Sequence, residues 1–226
     1  MPKRKKDMQL TDAKRSKREL FDRLPKDWYR FVSCDYSEDL NLLINLPNRI
    51  PDNWWRCMTN LKPENVKVVI LGQDPYTTED ADGIAFSCKT LRPSLSNIFK
   101  EIEKEFGVCN KHPTLDRWRD QGVLLINIVP TTTLNAPPNS HANKGWEVVT
   151  TNIIKNLADY NSFMIFLLWG KHAQKILPLI DKRHKIIMTS HPSPHSYNYG
   201  FKDSGQFRYT NELLEKNGMS IIRWWE

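Results

Sequence analysis

Four short runs of large apolar and β-branched residues stand out along the chain, each bounded by polar or turn-forming positions. They occupy residues 66–71, 123–128, 163–169 and 185–189. A strand with one solvent-exposed face alternates apolar and polar residues. These runs are nearly continuous, which is typical of strands covered on both faces. The pattern predicts a central sheet that is buried between layers of helices.

Helical periodicity lies between the predicted strands. In residues 94–107 the apolar positions recur at three- and four-residue spacing, with Ser94 placed to cap the start of a helix and Gly107 its end. Weaker patterns predict further helices near residues 145–157, 172–180 and 208–216. Because strands that alternate with helices form parallel sheets, we expect an α/β fold: a single domain with a central four-stranded parallel sheet flanked by helices.

The first eighteen residues differ in composition from the rest of the chain. The chain has 226 residues, of which 39% are hydrophobic, and this is enough for one sizeable core. Its net charge is +7, yet residues 1–18 alone contain eight basic and two acidic residues, a net charge of +6. We therefore predict a flexible basic arm at residues 1–18 and a nearly neutral folded domain, which carries the chemistry, at residues 19–226.

Two basic clusters in the arm, at residues 2–6 and 14–18, resemble a nuclear localisation signal. They predict a location in the nucleus, with the cytoplasm or a viral replication compartment as alternatives. The other interpretation is a solvated arm with incidental affinity for nucleic acids.

Two structural classes are disfavoured by the sequence. The longest apolar run, residues 163–169, is far shorter than the roughly 20 residues that span a bilayer, which argues against an integral membrane protein. Cys34, Cys57, Cys88 and Cys109 lie more than twenty residues apart from one another. Zinc sites and disulfide frameworks usually contain closely spaced cysteines, so we expect neither.

Polar side chains accompany the end of each predicted strand. Asp74 follows the first strand, Asn127 ends the second and His191 follows the fourth. The carboxyl ends of parallel strands share one edge of a sheet, where α/β proteins bind their ligands, so these groups are expected to form an acid–base and recognition set. Taken singly, they are also compatible with a turn at Asp74, a buried capping amide at Asn127 and a hydrogen-bonded core histidine at His191.

Five sequence blocks follow one another in a specific order. They read Gly-Gln-Asp-Pro-Tyr at 72–76, Gly-Ile-Ala-Phe-Ser at 83–87, Gln-Gly-Val-Leu-Leu-Ile-Asn at 121–127, Leu-Leu-Trp-Gly at 167–170 and His-Pro-Ser-Pro at 191–194. Together with Asn-Ser-His at 139–141, they closely resemble the family 1 uracil-DNA glycosylases, from about Trp28 to the C-terminus. The resemblance implies a monofunctional DNA glycosylase that flips deoxyuridine out of DNA and hydrolyses its N-glycosidic bond, as in base excision repair. It implies no metal, nucleotide cofactor or covalent lysine intermediate.

The resemblance assigns two side chains to the charges that this reaction generates. Cleavage forms a cationic sugar and an anionic uracil, so a site must stabilise both and supply water. Asp74 resembles the family's catalytic aspartate, which orients the attacking water and faces the sugar. His191 resembles the histidine that donates a hydrogen bond to uracil O2.

Four further residues are implied in recognition of the base. Asn127 would pair with uracil N3–H and O4 and would mismatch cytosine. Phe86 would stack on the base, Tyr76 would exclude the methyl group of thymine, and Gln73 would contact the base through its backbone. Core packing is the alternative role for Phe86 and Tyr76.

The resemblance also implies contacts with DNA. Ser94, Ser193 and Ser196 would bind phosphates, and His195 would occupy the position of the side chain that wedges into the helix. Lys171 would add a cationic phosphate contact or remain solvated. The expected partners are uracil-containing single- or double-stranded DNA and, beyond DNA, replication or repair proteins, and the expected oligomeric state is a monomer.

Three departures from the family pattern bear on rate and affinity. Thr77 stands where the family has histidine, His195 stands where it has leucine, and Pro93 is a single proline where it has several. These departures motivate a second interpretation, a DNA-tethering or polymerase-processivity partner with reduced activity, although such a scaffold would not need Asp74 and His191. A third interpretation, a different α/β hydrolase acting on nucleotides, would expect a glycine-rich phosphate loop or clustered carboxylates.

Overall fold

A computed structural model describes residues 20–21, 23–32 and 38–226. The basic arm at residues 1–18 lies outside the described residues, as does Cys34. The strands are β1 (Arg49–Ile50), β2 (Val68–Gly72), β3 (Val123–Asn127), β4 (Thr132–Thr133), β5 (Ile165–Trp169) and β6 (Lys185–Thr189). The α-helices are α1 (Glu38–Ile44), α2 (Pro93–Phe106), α3 (Asp116–Arg119), α4 (Trp146–Tyr160), α5 (Gly170–Gln174) and α6 (Gln206–Lys216).

The central sheet has the order β3-β2-β5-β6, and every neighbouring pair is parallel. This confirms the predicted α/β fold with a four-stranded parallel sheet. All residues of β2, β3 and β5 are buried, as continuous apolar runs require. The expectation of burial on both faces is wrong for β6, where Lys185 and Met188 are exposed.

The predicted helices exist, with two local corrections. Ser94 does not cap α2, because Arg92 is the N-cap and Pro93 begins the helix; proline suits that first position, where its missing N–H would have no partner. The helix expected at residues 172–180 is instead the short helix α5 followed by a 3-10 turn at Leu177–Leu179. Pro178 lacks the N–H that a continuous helix would need there.

Two features of the fold create a site at the end of the sheet where the carboxyl ends of the strands lie. The strands β2, β3, β5 and β6 run in the same direction, so their carboxyl ends and the loops that follow lie together. Strands β1 and β4 form a separate antiparallel ribbon in which Ile50 pairs with Thr132. Strand β4 follows β3 closely in the sequence. Within the described residues, no helix is long and apolar enough to cross a membrane.

Candidate active site

A cavity of about 290 Å³ opens at the carboxyl ends of the strands. It is lined by seven of the residues predicted from the sequence, namely Gln73, Asp74, Tyr76, Phe86, Ser94, Asn127 and His191. Lys171, Ser193, His195 and Ser196 are not among its lining residues. The fold therefore gathers the predicted base-contacting residues into one cavity and leaves four of the predicted DNA contacts outside it.

One carboxylate oxygen of Asp74 is held by the backbone of a distant loop. The N–H of Asn139 donates a hydrogen bond of 2.7 Å to Asp74 Oδ2. Burial raises the pKa of Asp74 above its ordinary value, while this N–H and the charge of His172 act in the opposite direction. The structure shows no hydrogen bond to Oδ1 among the described residues, so this oxygen remains available to a ligand or water in the cavity.

A buried polar cluster supports the loop that contains Asn139. His141 is 2% exposed, and its Nδ1 and Nε2 atoms lie 2.9 Å from the hydroxyls of Thr131 and Thr133. Trp146 Nε1 donates a further hydrogen bond to the Thr131 hydroxyl. Burial, together with the nearby charges of Lys144 and Arg49, lowers the pKa of His141 to about 4. His141 is therefore a neutral structural group with both ring nitrogens occupied.

Residues 139–141 are part of a sequence motif for which the sequence alone predicts no role in the site. The structure shows that Asn139 contacts two of the three predicted residues in the loop after β2, because its backbone N–H donates to Asp74 and its Oδ1 accepts from the Gln73 side-chain amide. The signal that could have revealed this role was the density of polar residues in a short segment beside two buried threonines.

The orientation of His191 is set by a local hydrogen bond. The N–H of Ser193 donates to His191 Nδ1 at 3.1 Å. A neutral imidazole whose Nδ1 accepts a hydrogen bond carries its proton on Nε2, so Nε2 is the donor. Burial lowers the pKa of His191 below its ordinary value, and the neighbouring charge of His172 has the same effect. The site thus presents a neutral imidazole with a donor free for a ligand.

Two glycines allow the polar side chains to approach the strand ends. A Cβ at Gly72 would overlap the side-chain Oδ1 of Asn127. A Cβ at Gly170, which has a φ of +83°, would lie 2.9 Å from the Cβ of His191. Asn127 is only 8% exposed, yet its amide makes no hydrogen bond among the described residues, so its donor and acceptor are both available to a ligand.

Two aromatic side chains form apolar parts of the cavity lining. The Phe86 ring centroid lies 5.1 Å from Trp169 and 5.7 Å from His191, and Phe86 has a left-handed backbone with a φ of +65°. Tyr76 is half-buried, and burial raises the pKa of its phenol, which therefore stays neutral. Each ring both packs against the core and lines the cavity, so core packing and ligand contact are compatible here.

The loop that follows His191 is held together by its own serines. The Ser196 hydroxyl donates to the His191 carbonyl at 2.8 Å and lies 2.9 Å from the Ser193 hydroxyl. Asn97 in α2 donates to the Pro192 carbonyl at 2.9 Å, which fixes the loop to that helix. In this arrangement the Ser196 hydroxyl donates its hydrogen bond within the loop. Phosphate contacts by Ser94, Ser193 and Ser196 stay predictions.

Three exposed basic side chains lie on the segments that follow β5 and β6. Lys171 and His172 are exposed in α5, and His195 is exposed in the loop after His191. Their predicted contacts with DNA stay predictions. Among the residues that the structure describes, no group of three His, Cys, Asp or Glu side chains is arranged to hold a metal ion, and Cys57, Cys88 and Cys109 are free thiols.

Comparisons with known proteins identify the family to which this chain is similar. The model of the uracil DNA glycosylase superfamily matches residues 59–215. A curated uracil-DNA glycosylase from Idiomarina loihiensis is 46% identical over 169 residues, which cover 72% of this chain and 78% of the relative. The crystal structure of mimivirus uracil-DNA glycosylase superimposes with a TM-score of 0.82 and 29% identity, covering 91% of this chain and 88% of that one.

A more distant structure, from Nitratifractor salsuginis, matches with a TM-score of 0.61 and 18% identity, covering 96% of this chain and 98% of that one. At that identity the match supports the fold alone. The family model and the curated relative carry the assignment, because each covers most of the chain, and the family model spans every residue from β2 through the loop that contains His191. The chain belongs to the uracil-DNA glycosylase superfamily.

Proposed function

We propose that this chain is a monofunctional uracil-DNA glycosylase that releases uracil from DNA and leaves an abasic site. The observation that carries the proposal is the convergence of three unsatisfied groups on one cavity. These are an open carboxylate oxygen on Asp74, an Nε2–H donor on His191 and an unpaired amide on Asn127. Each matches a different part of deoxyuridine.

The reaction separates charge, and Asp74 and His191 stabilise its two halves. As the N-glycosidic bond breaks, positive charge develops on the sugar and negative charge on uracil O2. The ionised Asp74 faces the sugar and accepts a proton from the attacking water through its open oxygen. His191 donates its Nε2–H to uracil O2, and its lowered pKa keeps it neutral, so that no proton is lost to the leaving group. Water then supplies the hydroxyl of the abasic sugar, and no covalent intermediate is required.

Recognition of the base follows from the donors and acceptors that the cavity offers. The Asn127 amide donates to uracil O4 and accepts from N3–H, whereas cytosine presents an acceptor at N3 and a donor at N4. Phe86 stacks on the extruded base. Tyr76 lies against uracil C5, where the methyl group of thymine would clash. Gln73 contacts the base through its backbone, because its side-chain amide is engaged by Asn139.

DNA is gripped by local contacts rather than by a broad positive field. The residues beyond 18 carry a net charge of only +1, so phosphates meet individual hydroxyls, backbone N–H groups and a few cations. Ser94 lines the cavity and the loop from Ser193 to Ser196 follows the cavity residue His191, with His195 exposed to enter the space that the flipped nucleotide leaves. We propose a monomer that acts on single- and double-stranded DNA.

The decisive test is incubation of the purified chain with single- and double-stranded oligonucleotides that contain one uracil, followed by alkaline cleavage of abasic sites. We expect strand breaks at the uracil position, unchanged in EDTA, and none in a matched oligonucleotide that contains thymine. Absence of breaks above the no-enzyme control would refute the enzyme, and loss of activity in EDTA would refute a metal-free reaction.

We also propose that the basic clusters of residues 1–18 direct the protein to the nucleus. The test is to compare, in eukaryotic cells, fluorescent fusions of the full chain and of a full chain in which the basic residues at 2–6 and 14–18 are replaced by alanine. We expect nuclear accumulation of the first fusion only. Equal distribution of the two fusions would leave the arm with an electrostatic role in DNA binding and no role in targeting.

A further inference from the structure

We propose that Arg92 and Asp80 are positioning residues that fix the Tyr76 ring and thereby set how strongly the enzyme rejects pyrimidines with a substituent at C5. The inference rests on the proposed function, because it concerns the same cavity. We call the group formed by Thr78, Asp80 and Arg92 the Arg92 clip.

The Arg92 clip ties together the two segments on either side of the block at 83–87. Arg92 forms an ion pair with Asp80 Oδ2 and donates to the Thr78 hydroxyl at 2.9 Å. The Thr78 hydroxyl donates to Asp80 Oδ2 at 3.0 Å, and the N–H of Thr90 donates to Asp80 Oδ1 at 3.1 Å. Asp80 therefore receives donors from both segments, and these contacts hold residues 76–82 against residues 88–92.

Tyr76 begins the first of these segments, and Arg92 lies over its ring. The guanidinium carbon is 5.6 Å from the ring centroid, within the range of a cation–π contact. The Tyr76 hydroxyl makes no hydrogen bond among the described residues, so the position of the ring depends on what packs against it. The Nε atom of Arg92 is buried with no hydrogen-bond partner in the described part of the chain. Arg92 is thus held against the protein at the expense of one hydrogen bond.

The charge of Arg92 is already partnered, which favours a positioning role over a phosphate contact. Its side chain is 34% exposed and that of Asp80 is 13% exposed. A cation whose charge is offset by a largely buried carboxylate attracts a phosphate less than a free lysine would. A role in fixing the adjacent aromatic ring uses the same contacts without displacing any of them.

Rejection of a methyl group requires a rigid contact surface. Uracil and thymine differ by one methyl group, and a pocket discriminates such a difference only if its wall does not move aside. The Tyr76 side chain forms that wall, and the Arg92 clip restrains the backbone on which it stands and one face of its ring. Loss of the clip is therefore expected to admit larger C5 substituents while the charge-stabilising groups, Asp74 and His191, remain in place.

The test compares excision of uracil and 5-bromouracil from otherwise identical single-stranded oligonucleotides. Bromine is close to a methyl group in size, and it makes the base a better leaving group than thymine, so a slow reaction becomes measurable. The variants are Arg92→Leu, Asp80→Asn and Arg92→Lys, each measured for kcat/KM on both substrates and for thermal unfolding. Lys104→Ala is the matched control, because Lys104 lies on α2 far along the helix from Arg92 and its ion pair with Asp203 is exposed.

We expect the ratio of kcat/KM for 5-bromouracil to that for uracil to rise at least about tenfold in Arg92→Leu and Asp80→Asn. Arg92→Lys should give a smaller rise, because lysine keeps the charge and loses the planar contact with the ring, and Lys104→Ala should give none. Since each comparison uses the same two substrates, leaving-group effects cancel between variants.

The outcomes separate this inference from the proposed function. If the unmodified chain excises no uracil, the proposed function fails, whatever the variants do. If it excises uracil and the variants lower kcat/KM equally for both bases, Arg92 supports DNA binding or stability and the positioning role is wrong. Should Arg92→Leu fail to fold, Asp80→Asn decides, because it keeps the shape of the side chain and an acceptor for Thr90.

Discussion

The Asp74 side and the His191 side of the cavity each hold their functional group by a backbone hydrogen bond. The two sides differ in how far away in sequence the donor lies. On the Asp74 side, one carboxylate oxygen accepts an N–H from Asn139, which lies 65 residues away in sequence. On the His191 side, one ring nitrogen accepts an N–H from Ser193, two residues away. In both cases one atom of the functional group is fixed by the backbone and the other faces the cavity.

Because of this difference in sequence separation, mutations are expected to affect the two sides differently. The Asp74 side depends on a buried cluster in which His141 and Trp146 share the hydroxyl of Thr131, so damage there affects the stability of the domain as well as the site. The His191 side is a loop whose serines bond to one another and to the loop backbone, with one further hydrogen bond from Asn97 in α2. Four predictions test this contrast.

The largest effect is expected from Asp74→Asn, which removes the charge and keeps the shape. Loss of one preorganised electrostatic group lowers turnover by about 10²–10³-fold, and the amide oxygen still accepts the Asn139 N–H. Single-turnover kinetics should show this loss while DNA affinity, from fluorescence anisotropy, changes little. Asp203→Asn, at an exposed ion pair, is the control. A matching loss of affinity would assign Asp74 a structural role.

The second prediction concerns the pH dependence of stability on the Asp74 side. His141 has a pKa of about 4 in the folded chain against 6.5 in the unfolded one, so below pH 6.5 the unfolded state binds more protons. The free energy of unfolding should therefore fall by about 2 kcal/mol on this account between pH 7 and pH 5.

The measurement for His141 is chemical denaturation of the unmodified chain and of His141→Asn at both pH values. The variant should be less stable at pH 7, because the threonine hydroxyls lose a partner, yet it should lose less stability on acidification. His112→Asn, at an exposed histidine, is the control. Identical losses between pH 7 and pH 5 in the unmodified chain and His141→Asn would contradict the assignment.

A third prediction tests the independence of the His191 side. His191→Ala should lower the single-turnover rate by about a hundredfold, since one donor to the developing anion is removed, while the pH 7 stability changes little. Because the pKa of His191 is lowered by burial, the rate of the unmodified chain should hold its plateau below pH 6.5. His172→Ala controls for the neighbouring charge. A rate that halves near pH 6.5, with the inflection absent in His191→Ala, would show that His191 titrates normally.

The smallest effect is expected from Asn139→Gly. Asn139 holds Asp74 through its backbone N–H and has a φ of +65°, a conformation that glycine adopts freely. The rate should change by less than about threefold. Asn139→Ala keeps the same N–H and adds roughly 1–2 kcal/mol of backbone strain, which should appear in thermal unfolding. A large rate loss in the glycine variant would mean that the Asn139 side chain itself takes part in the reaction.

Much of the fold and the cavity could be predicted because both depend on patterns that are local in sequence. Continuous apolar runs identified the strands of the parallel sheet, and the convergence of their carboxyl ends placed Asp74, Asn127 and His191 together. The specific chemical roles came from the resemblance of short motifs, since a single carboxylate or imidazole at a strand end is compatible with several functions.

What the sequence did not disclose are contacts between distant or ordinary residues. The Asn139–Asp74 hydrogen bond joins two loops whose proximity depends on the folded sheet and ribbon. The Arg92 clip consists of charged residues that look like solvated surface positions in the sequence. The cap of α2 lies at Arg92, two residues before the predicted Ser94, because Ser94 is a good cap by type and Pro93 is a better first residue of the helix.

The glycines at 72 and 170 have a consequence for laboratory evolution of this enzyme. At both positions a Cβ would collide with a side chain of the site, Asn127 in one case and His191 in the other. Libraries that vary these positions should yield almost no active clones, however large the library is. The Tyr76 side of the cavity is made of side chains, which can be exchanged without moving a strand. New base specificities are therefore expected to arise from residues 76, 80 and 92, and the parallel strand ends are expected to stay as they are.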